Sequence, residues 1–194
     1  DVEGNVILDK KFKGPEESET QKTVDKANSI QKTGDGGYTI FGNTQTINGN
    51  NDAWLIKIDS SGNEAWNKTV EGPGDEWDSS GQQTRDGGYI IVGKTNTNSE
   101  SKFYLWLAKT DSNGNKLWDK ILGEIISLGN YVPSIQLTND DGYIIVSTPP
   151  EVSVESAASL IKTDMEGNVL WNKTFSYPRP PISHHGDSAS SVQQ

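Results

Sequence analysis

The chain repeats one short phrase four times. Asp-x-x-Gly-Asn occurs at Asp1–Asn5, Asp59–Asn63, Asp111–Asn115 and Asp164–Asn168, so that successive copies begin 52 to 58 residues apart. A period near 50 residues is typical of proteins built from a stack or ring of similar units. The repeat therefore restricts the fold strongly, while it says much less about what the protein binds.

Each repeat contains four short phrases that have the length and composition of β-strands. They are rich in β-branched and aromatic residues, and we label them A to D in chain order. Phrase A covers 29–33, 80–84 and 134–138; phrase B covers 37–42, 88–93 and 142–146; phrase C covers 53–58, 105–110 and 158–163; phrase D covers 64–69, 116–121 and 169–174.

Short polar turns join A to B and C to D. The A–B links carry Asp and Gly, as in Asp35-Gly36-Gly37, and the C–D links carry Asp-x-x-Gly-Asn. In such hairpin turns Asp accepts bonds from nearby backbone N–H groups and Gly takes the positive-φ position. Four antiparallel strands within about 50 residues indicate the blade of a β-propeller, which must stack on its neighbours to bury both faces.

We therefore predict an all-β fold, a β-propeller of four-stranded antiparallel blades in a single segment over residues 1–194. Three blades are complete and the two ends carry single strands: strand D of a preceding blade at 1–12, blades at 27–70, 79–122 and 133–175, and strand A of a following blade at 188–194. A closed ring needs roughly 4–8 blades, so we expect a longer chain or an assembly to complete it.

The links from B to C and from D to A are long and variable, and they lie at the end of each blade opposite to the turns. Loops on a rigid scaffold commonly carry function. Trp77 and Tyr131 lie in D–A links and interrupt the repeat, so we predict that they and Asp78 contact a ligand. His184 and His185 are a second candidate, because adjacent histidines can bind a metal or act as bases, but a solvated loop is the favoured explanation of this pair.

Composition excludes several classes of function. A formal charge of -10 argues against binding to nucleic acid, whose phosphates require neutralisation by Lys and Arg. The absence of cysteine excludes disulfides, thiolate metal sites and a cysteine nucleophile. No stretch approaches the roughly 20 apolar residues of a membrane-spanning helix.

The spacing of the C–D hairpin resembles the repeat of the PQQ-type quinoprotein β-propellers. The matching pattern is Leu-x-x-x-Asp-x-x-Gly-x-x-x-Trp at 55–66, 107–118 and 160–171. In that family the Trp docks between neighbouring blades, which implies a packing role for Trp66, Trp118 and Trp171. A periodic set of Trp side chains could alternatively form a platform for sugars. The Gly-Gly-Tyr phrase B is similar to repeats in secreted and surface proteins of archaea and bacteria.

Departures from known families argue against a cofactor or a metal. Quinoprotein dehydrogenases hold their cofactor with a vicinal Cys pair, which this chain lacks, so we predict no PQQ and no other cofactor. The hairpin is also similar to the Asp-box of sialidases, but its Asp–Gly spacing is one residue longer, and Arg85 and Arg179 cannot supply a three-Arg clamp. Asp111-x-Asn113-x-Asn115 lacks the bidentate Glu of a calcium loop, and turn chemistry explains it.

Two sequons occupy equivalent positions in phrase D. Asn67-Lys68-Thr69 and Asn172-Lys173-Thr174 match the N-glycosylation acceptor pattern, while the middle repeat has Asp119 instead. On a secreted protein these asparagines would be candidate glycosylation sites at an outward edge strand.

The sequence favours an extracellular or cell-surface, microbial β-propeller that acts as a binding or structural scaffold module and not as an enzyme. We expect the D–A and B–C loops to contact a protein, a polysaccharide or another copy of the chain. One alternative is a glycan-active enzyme whose axial site is completed by further blades. Another is a structural component of a surface layer, sheath or filament.

Overall fold

The computed structural model describes residues 9–14, 24–47, 49–97, 102–125, 131–149 and 156–177. These residues form twelve β-strands and no helix. The strands are β1 (Asp25–Lys32), β2 (Tyr38–Gln45), β3 (Asn51–Ile58), β4 (Glu64–Val70), β5 (Asp75–Gln83), β6 (Tyr89–Asn96), β7 (Phe103–Thr110), β8 (Lys116–Ile125), β9 (Ser134–Leu137), β10 (Tyr143–Ser147), β11 (Ser156–Thr163) and β12 (Val169–Tyr177).

The strands form three four-stranded antiparallel sheets, each made of strands that are consecutive in the chain. The first sheet contains β1–β4, the second β5–β8 and the third β9–β12, and the order in space follows the order in sequence. The all-β class and the four-stranded antiparallel units predicted from the repeat are therefore confirmed. The three sheets do not close on one another.

The A–B turns are held by a Thr-Asp-Lys arrangement that the three units share. In the first unit Asp35 Oδ1 accepts bonds from Thr33 Oγ1 at 2.6 Å, from the backbone N–H of Gly37 at 3.0 Å and from Lys57 Nζ at 3.1 Å. The buried Lys57 Nζ also donates to the carbonyl of Ile58 at 3.0 Å. This lysine reaches from the third strand of its sheet, so it ties that strand to the first hairpin.

The glycine after each A–B turn has no room for a side chain. A Cβ on Gly37 would lie 2.2 Å from the carbonyl oxygen of Ile58 and 2.7 Å from Lys57 Nζ. Gly88 and Gly142 have the same close neighbours in their own units. The Gly-Tyr start of phrase B is therefore a packing requirement of the buried lysine.

The C–D turns close on their own aspartate. Asp59 Oδ1 accepts bonds from the backbone N–H groups of Ser61 and Asn63 at 2.9 and 2.7 Å, while Gly62 has φ of 80°. Bonds of this kind, foremost that from the N–H of Asn63, hold the pKa of Asp59 below its ordinary value. The aspartate is committed to turn formation, as the sequence predicts.

The sheets pack on one another in chain order. The second sheet meets the first through β5, which packs against β1, β2 and β3, and the third sheet meets the second through β9. Between the first two sheets the buried core contains Phe41, Ala53, Leu55, Val70, Tyr89, Ile91, Trp106 and Ala108. Between the second and third it contains Ile90, Val92, Leu105, Leu107, Ile125, Ile135, Tyr143, Ile145 and Ile161.

The second sheet thus buries both of its faces. Alternate residues of a strand point to opposite faces, so Ile91 packs toward the first sheet and Ile90 toward the third. This two-sided burial explains why phrases B and C read as continuous apolar runs and not as an alternating pattern.

Candidate functional site

In each sheet the two ends of the strands differ. At one end lie the A–B and C–D turns, and we call this side of the sheets the turn edge. At the other lie residues 71–74 and the described parts of the links after β2, β6, β8 and β10, which we call the loop edge. The turn edge repeats the Thr-Asp-Lys contacts from unit to unit, whereas buried side chains that depart from the repeat lie at the loop edge.

The clearest departure is a positive φ within the β-bulge at the start of the second sheet, since the first sheet has a bulge at the same place, between Ala27 and Ser29, without a positive φ. The register between β5 and β6 shifts between Trp77 and Ser80, and Asp78 has φ of 51°. Bulges often re-aim a side chain next to a functional site, and positive φ is uncommon for a residue other than glycine. The bulge also lets β5 begin at Asp75, five residues before phrase A of this unit.

The bulge turns Asp78 toward two lysines. Its Oδ1 accepts a bond from Lys26 Nζ of the first sheet at 2.6 Å, and its Oδ2 accepts one from Lys94 Nζ of β6 at 2.9 Å. The side chain of Lys94 is 1% exposed, whereas that of Lys26 is 43% exposed. The aspartate therefore compensates a buried cation and also links two sheets.

Tyr131 completes the group. Lys94 Nζ lies 5.7 Å from the centre of the Tyr131 ring, and the Tyr131 hydroxyl donates to the carbonyl of Val146 at 3.0 Å. Burial raises the pKa of Tyr131 well above its ordinary value, so the phenol stays neutral. We call Lys26, Asp78, Lys94 and Tyr131 the loop-edge cluster.

Asp78 and Tyr131 were both predicted as site residues from the sequence, and the structure brings them together through Lys94, which was not predicted. Lys94 stands where the other units have Asn43 and Thr148, and Asp78 stands where they have Ala27 and Val132. The available signal in the sequence was Lys94 itself, because a charged residue follows the apolar phrase B in this repeat only. Its significance depended on the bulge, which the sequence pattern does not reveal.

The remaining candidates have different surroundings. Trp77 precedes the bulge with its side chain 36% exposed, and the bonds that hold Asp78 do not involve it. His184 and His185 lie outside the described residues.

The first sequon, Asn67, has a packing role. Its Oδ1 accepts a bond from the indole of the buried Trp54 at 2.6 Å, and its Nδ2 donates to the carbonyl of Lys13 at 2.6 Å. Asp119 accepts a bond from Trp106 in the same way at 3.1 Å. A glycan on Asn67 would have to share an amide nitrogen that already donates to Lys13.

The second sequon, Asn172, lies on an exposed strand. Its Oδ1 accepts a bond from the hydroxyl of Ser159 at 3.1 Å, and the residue itself is exposed. Asn172 is therefore the more accessible of the two acceptors.

A wide polar groove of about 620 Å³ runs along the loop edge between the first two sheets. Its walls are backbone, amide, hydroxyl and carboxylate groups rather than apolar side chains. The lining residues are Asn50, Gly72, Pro73, Gly74, Asp75, Asn96 and Thr97.

Glu76 anchors one wall of this groove from beneath. It is fully buried, and it accepts bonds from the backbone N–H groups of Gly72 and Gly74 at 2.9 and 3.2 Å and from Thr95 Oγ1 at 2.8 Å. Burial, with a further contribution from the nearby Asp52, raises the pKa of Glu76 to about 7.

The bonds of Glu76 recur one unit earlier. Asp25 accepts bonds from Thr44 Oγ1 at 2.5 Å and from the backbone N–H of Gly14 at 2.7 Å. This repetition identifies Glu76 as an anchor for the preceding loop and not as a proton donor to a ligand.

Among the described residues no group of three or more His, Cys, Asp or Glu side chains is arranged to hold a metal ion. Likewise, the described part of the chain contains no helix long and apolar enough to cross a membrane.

No protein-family model matches the chain, and no curated protein sequence shows significant similarity to it. The resemblance to quinoprotein-type propellers therefore stays a prediction from the hairpin spacing.

Proposed function

We propose that this chain is a segment of an extracellular or cell-surface β-propeller whose loop edge binds a polysaccharide. The single observation that carries the proposal is the contrast between the two edges of the sheets. The turn edge repeats its Thr-Asp-Lys contacts in every unit, and its one unrepeated ion pair, Arg85–Asp141, is exposed, whereas the loop edge of the second unit holds a buried ion pair at positions that are uncharged in the other units.

The loop-edge cluster is not needed to stack one unit on another. The equivalent positions in the neighbouring units hold Ala27 with Asn43 and Val132 with Thr148, none of which is charged. A buried ion pair is seldom a net source of stability, because desolvating the two charges offsets their attraction. A strained aspartate that holds such a pair is therefore better explained by a role in recognition than by folding.

The adjoining groove supports a polyhydroxylated partner. Its lining offers amide, hydroxyl and carboxylate groups together with glycine backbone, which are suited to many hydrogen bonds with a neutral sugar chain. Trp77 lies on the strand that borders the groove and is partly exposed. A sheet scaffold with short turns at one edge and longer links at the other holds these groups in fixed positions.

The stacking of the units supports the propeller. Three antiparallel sheets follow one another in chain order, and the first strand of the second and third sheets packs against the preceding sheet. The location outside the cell rests on the resemblance of phrase B to secreted repeats, and the exposed Asn172 is compatible with glycosylation there.

A direct test is binding of the chain to an array of immobilised polysaccharides, followed by titration of any hit. We expect Lys26→Ala to weaken binding by about tenfold or more, because this lysine is the exposed member of the cluster. Lys120→Ala is the matched control, since Lys120 bonds to Asn168 at the turn edge. Equal affinities of the two variants, or binding to no polysaccharide, would refute the proposal, and binding to extracellular proteins alone would assign the edge to a protein partner.

A further inference from the structure

One lysine–asparagine bond recurs at both junctions between the described sheets, and it also joins residues 9–14 to the first sheet. Lys10 Nζ donates to Asn63 Oδ1 at 2.7 Å, Lys68 Nζ to Asn115 at 2.6 Å and Lys120 Nζ to Asn168 at 2.6 Å. Each donor lies at the same position of phrase D, and each acceptor is the last residue of the Asp-x-x-Gly-Asn turn in the next unit. The turn asparagine therefore also serves as a docking residue.

A tryptophan–glycine contact accompanies this bond. A Cβ on Gly114 would lie 3.0 Å from the ring of Trp66, and one on Gly167 would lie 2.8 Å from the ring of Trp118. The two glycines have φ of 79° and 78°. The glycine thus has two roles. Its positive φ permits the turn, and its lack of a side chain leaves room for the tryptophan of the preceding sheet.

The outward face of the third sheet presents the equivalent three side chains, and no strand in the described part of the chain packs on it. Trp171, Lys173 and Phe175 alternate along β12 and therefore point to one face. They correspond in sequence to Trp118, Lys120 and Leu122, which face the third sheet. Trp171 is 40% exposed and Phe175 is 57% exposed.

The exposed side chains already hold the arrangement of their covered counterparts. Lys173 Nζ lies 5.5 Å from the centre of the Trp171 ring, as Lys120 Nζ lies 5.7 Å from that of Trp118. An exposed patch of large apolar side chains commonly marks an interaction surface. This exposed face has the same arrangement as the face of the second sheet that the third sheet covers. We can therefore infer what kind of unit would cover it.

We propose that Trp171, Lys173 and Phe175 form a docking surface for a fourth four-stranded unit of this repeat in the same polypeptide. The unit would open with the strand predicted at 188–194, where Ser191-Val192-Gln193-Gln194 parallels Ser80-Gly81-Gln82-Gln83. Its C–D turn places a glycine against Trp171 and an asparagine within reach of Lys173. The inference needs no closed ring and does not depend on the loop-edge cluster.

A second copy of the chain is a poorer occupant. It would have to present a first sheet whose turn is free, but Asn63 of that turn already accepts the bond from Lys10 of its own chain. Phe12 also packs on the outer face of the first sheet, against the cluster of Trp54, Ile56 and Ile58. Docking of a second copy would require these contacts to be displaced.

The primary test is hydroxyl-radical footprinting of the protein isolated from its native source, with oxidation measured at each tryptophan. We expect Trp171 to be oxidised at a rate within about twofold of that of Trp118. Oxidation of Trp171 several-fold faster than that of Trp118 would overturn the proposal, because the face would then be open in the whole protein.

An engineered extension tests the occupant itself. Residues 84–125 are appended after Gln194, which completes a fourth unit whose turn carries the required Gly and Asn. We expect Trp171 oxidation to fall several-fold relative to the unextended chain, and we expect Lys173→Met together with Trp171→Ala to lower the melting temperature of the extended chain only. Unchanged Trp171 oxidation would overturn the proposal, as would self-association of the unextended chain that Trp171→Ala abolishes, since the occupant would then be a second copy.

Discussion

At the scale of single residues, the loop-edge cluster is the feature that the repeat does not explain. Asp78 neutralises a lysine that is buried almost completely, and it does so from a backbone conformation that few residues other than glycine adopt. A buried cation is tolerated only with a well-placed partner. The stability of the second unit should therefore depend on this one carboxylate.

We expect Asp78→Asn to lower the free energy of unfolding by about 3–5 kcal/mol, because it removes the carboxylate that lies 2.9 Å from the buried Lys94 Nζ. Asparagine keeps the shape of aspartate and tolerates positive φ, so backbone strain is not added. The measurement is equilibrium denaturation in urea.

Two further variants separate the charge effect from general damage. Asp78→Asn combined with Lys94→Met should recover part of the loss, since both partners are then absent. Arg85→Ala, which breaks an exposed pair with Asp141, should cost less than about 1 kcal/mol. A double variant no more stable than Asp78→Asn alone would show that the uncompensated charge is not the cause.

Glu76 makes stability depend on pH. Its folded pKa of about 7 lies above the ordinary value of 4.5, so the folded state holds the proton more tightly than the unfolded state. The raised pKa adds at most about 3 kcal/mol to the free energy of unfolding. This added stability is complete below about pH 4.5 and is lost as the pH rises through 7. Denaturation at pH 5 and pH 8 should show this decrease in the parent chain but not in Glu76→Gln. The same pH dependence in both proteins would contradict this assignment.

At the scale of elements, each A–B hairpin is held in part by a lysine from the third strand of its sheet, which is not part of the hairpin. The hydroxyl of Thr138 and the ammonium of Lys162 lower the pKa of Asp140 to about 2, so the turn carboxylate stays charged at a more acidic pH than an ordinary aspartate does. Lys162 Nζ also donates to the carbonyl of Thr163 at 2.8 Å. The Thr-Asp-Lys contacts at the turn edge therefore have a structural role, and they recur because the three units share one geometry.

Substitution of the glycine beside the equivalent lysine of the second unit, Lys109, tests this arrangement of the A–B turn. A Cβ on Gly88 would lie 2.2 Å from the carbonyl oxygen of Thr110 and 2.5 Å from Lys109 Nζ, so Gly88→Ala should destabilise the chain by about 1–3 kcal/mol. Gly34→Ala is the control, because its nearest neighbour is the side chain of Gln83 at 3.8 Å. Thermal denaturation of both variants is sufficient, and equal melting temperatures would exclude a packing role for Gly88.

Much of this element structure could be predicted from the sequence, because apolar runs and Asp-Gly turns are local signals. Trp66 and Trp118 pack against the two cores between the sheets, as predicted for the periodic tryptophans, whereas Trp171 is exposed. The role of Lys57, Lys109 and Lys162 could not be predicted, since a lysine within a strand normally indicates a solvent-facing position. Their burial becomes intelligible only when the turn aspartate is seen to lie beside them.

At the scale of the whole molecule, stacking explains why a polar chain folds. Only 31% of the residues are hydrophobic, yet the second sheet buries apolar side chains on both faces because it lies between two others. The same principle leaves Trp171 and Phe175 exposed on the third sheet, although the repeat predicts a packing role for this tryptophan. The sequence could not reveal this difference, because burial there depends on a neighbour and not on the strand itself.

The candidate site was only partly predictable for a related reason. Asp78 and Tyr131 interrupt the repeat and were recognisable as exceptions, but they lie 53 residues apart in the chain. Their proximity arises from the packing of β9 against β5 and β6, and from the bulge that turns Asp78 toward Lys94. Neither feature has a local sequence signal.

The loop edge is the proposed binding surface, and amide hydrogen exchange with and without a bound polysaccharide reveals which edge the ligand covers. We expect slower exchange in residues 71–78 and 94–97 and at Tyr131 when the ligand is present, with no change in the turns at 59–63, 111–115 and 164–168. Protection confined to the turn edge, or spread evenly over both edges, would contradict the central claim.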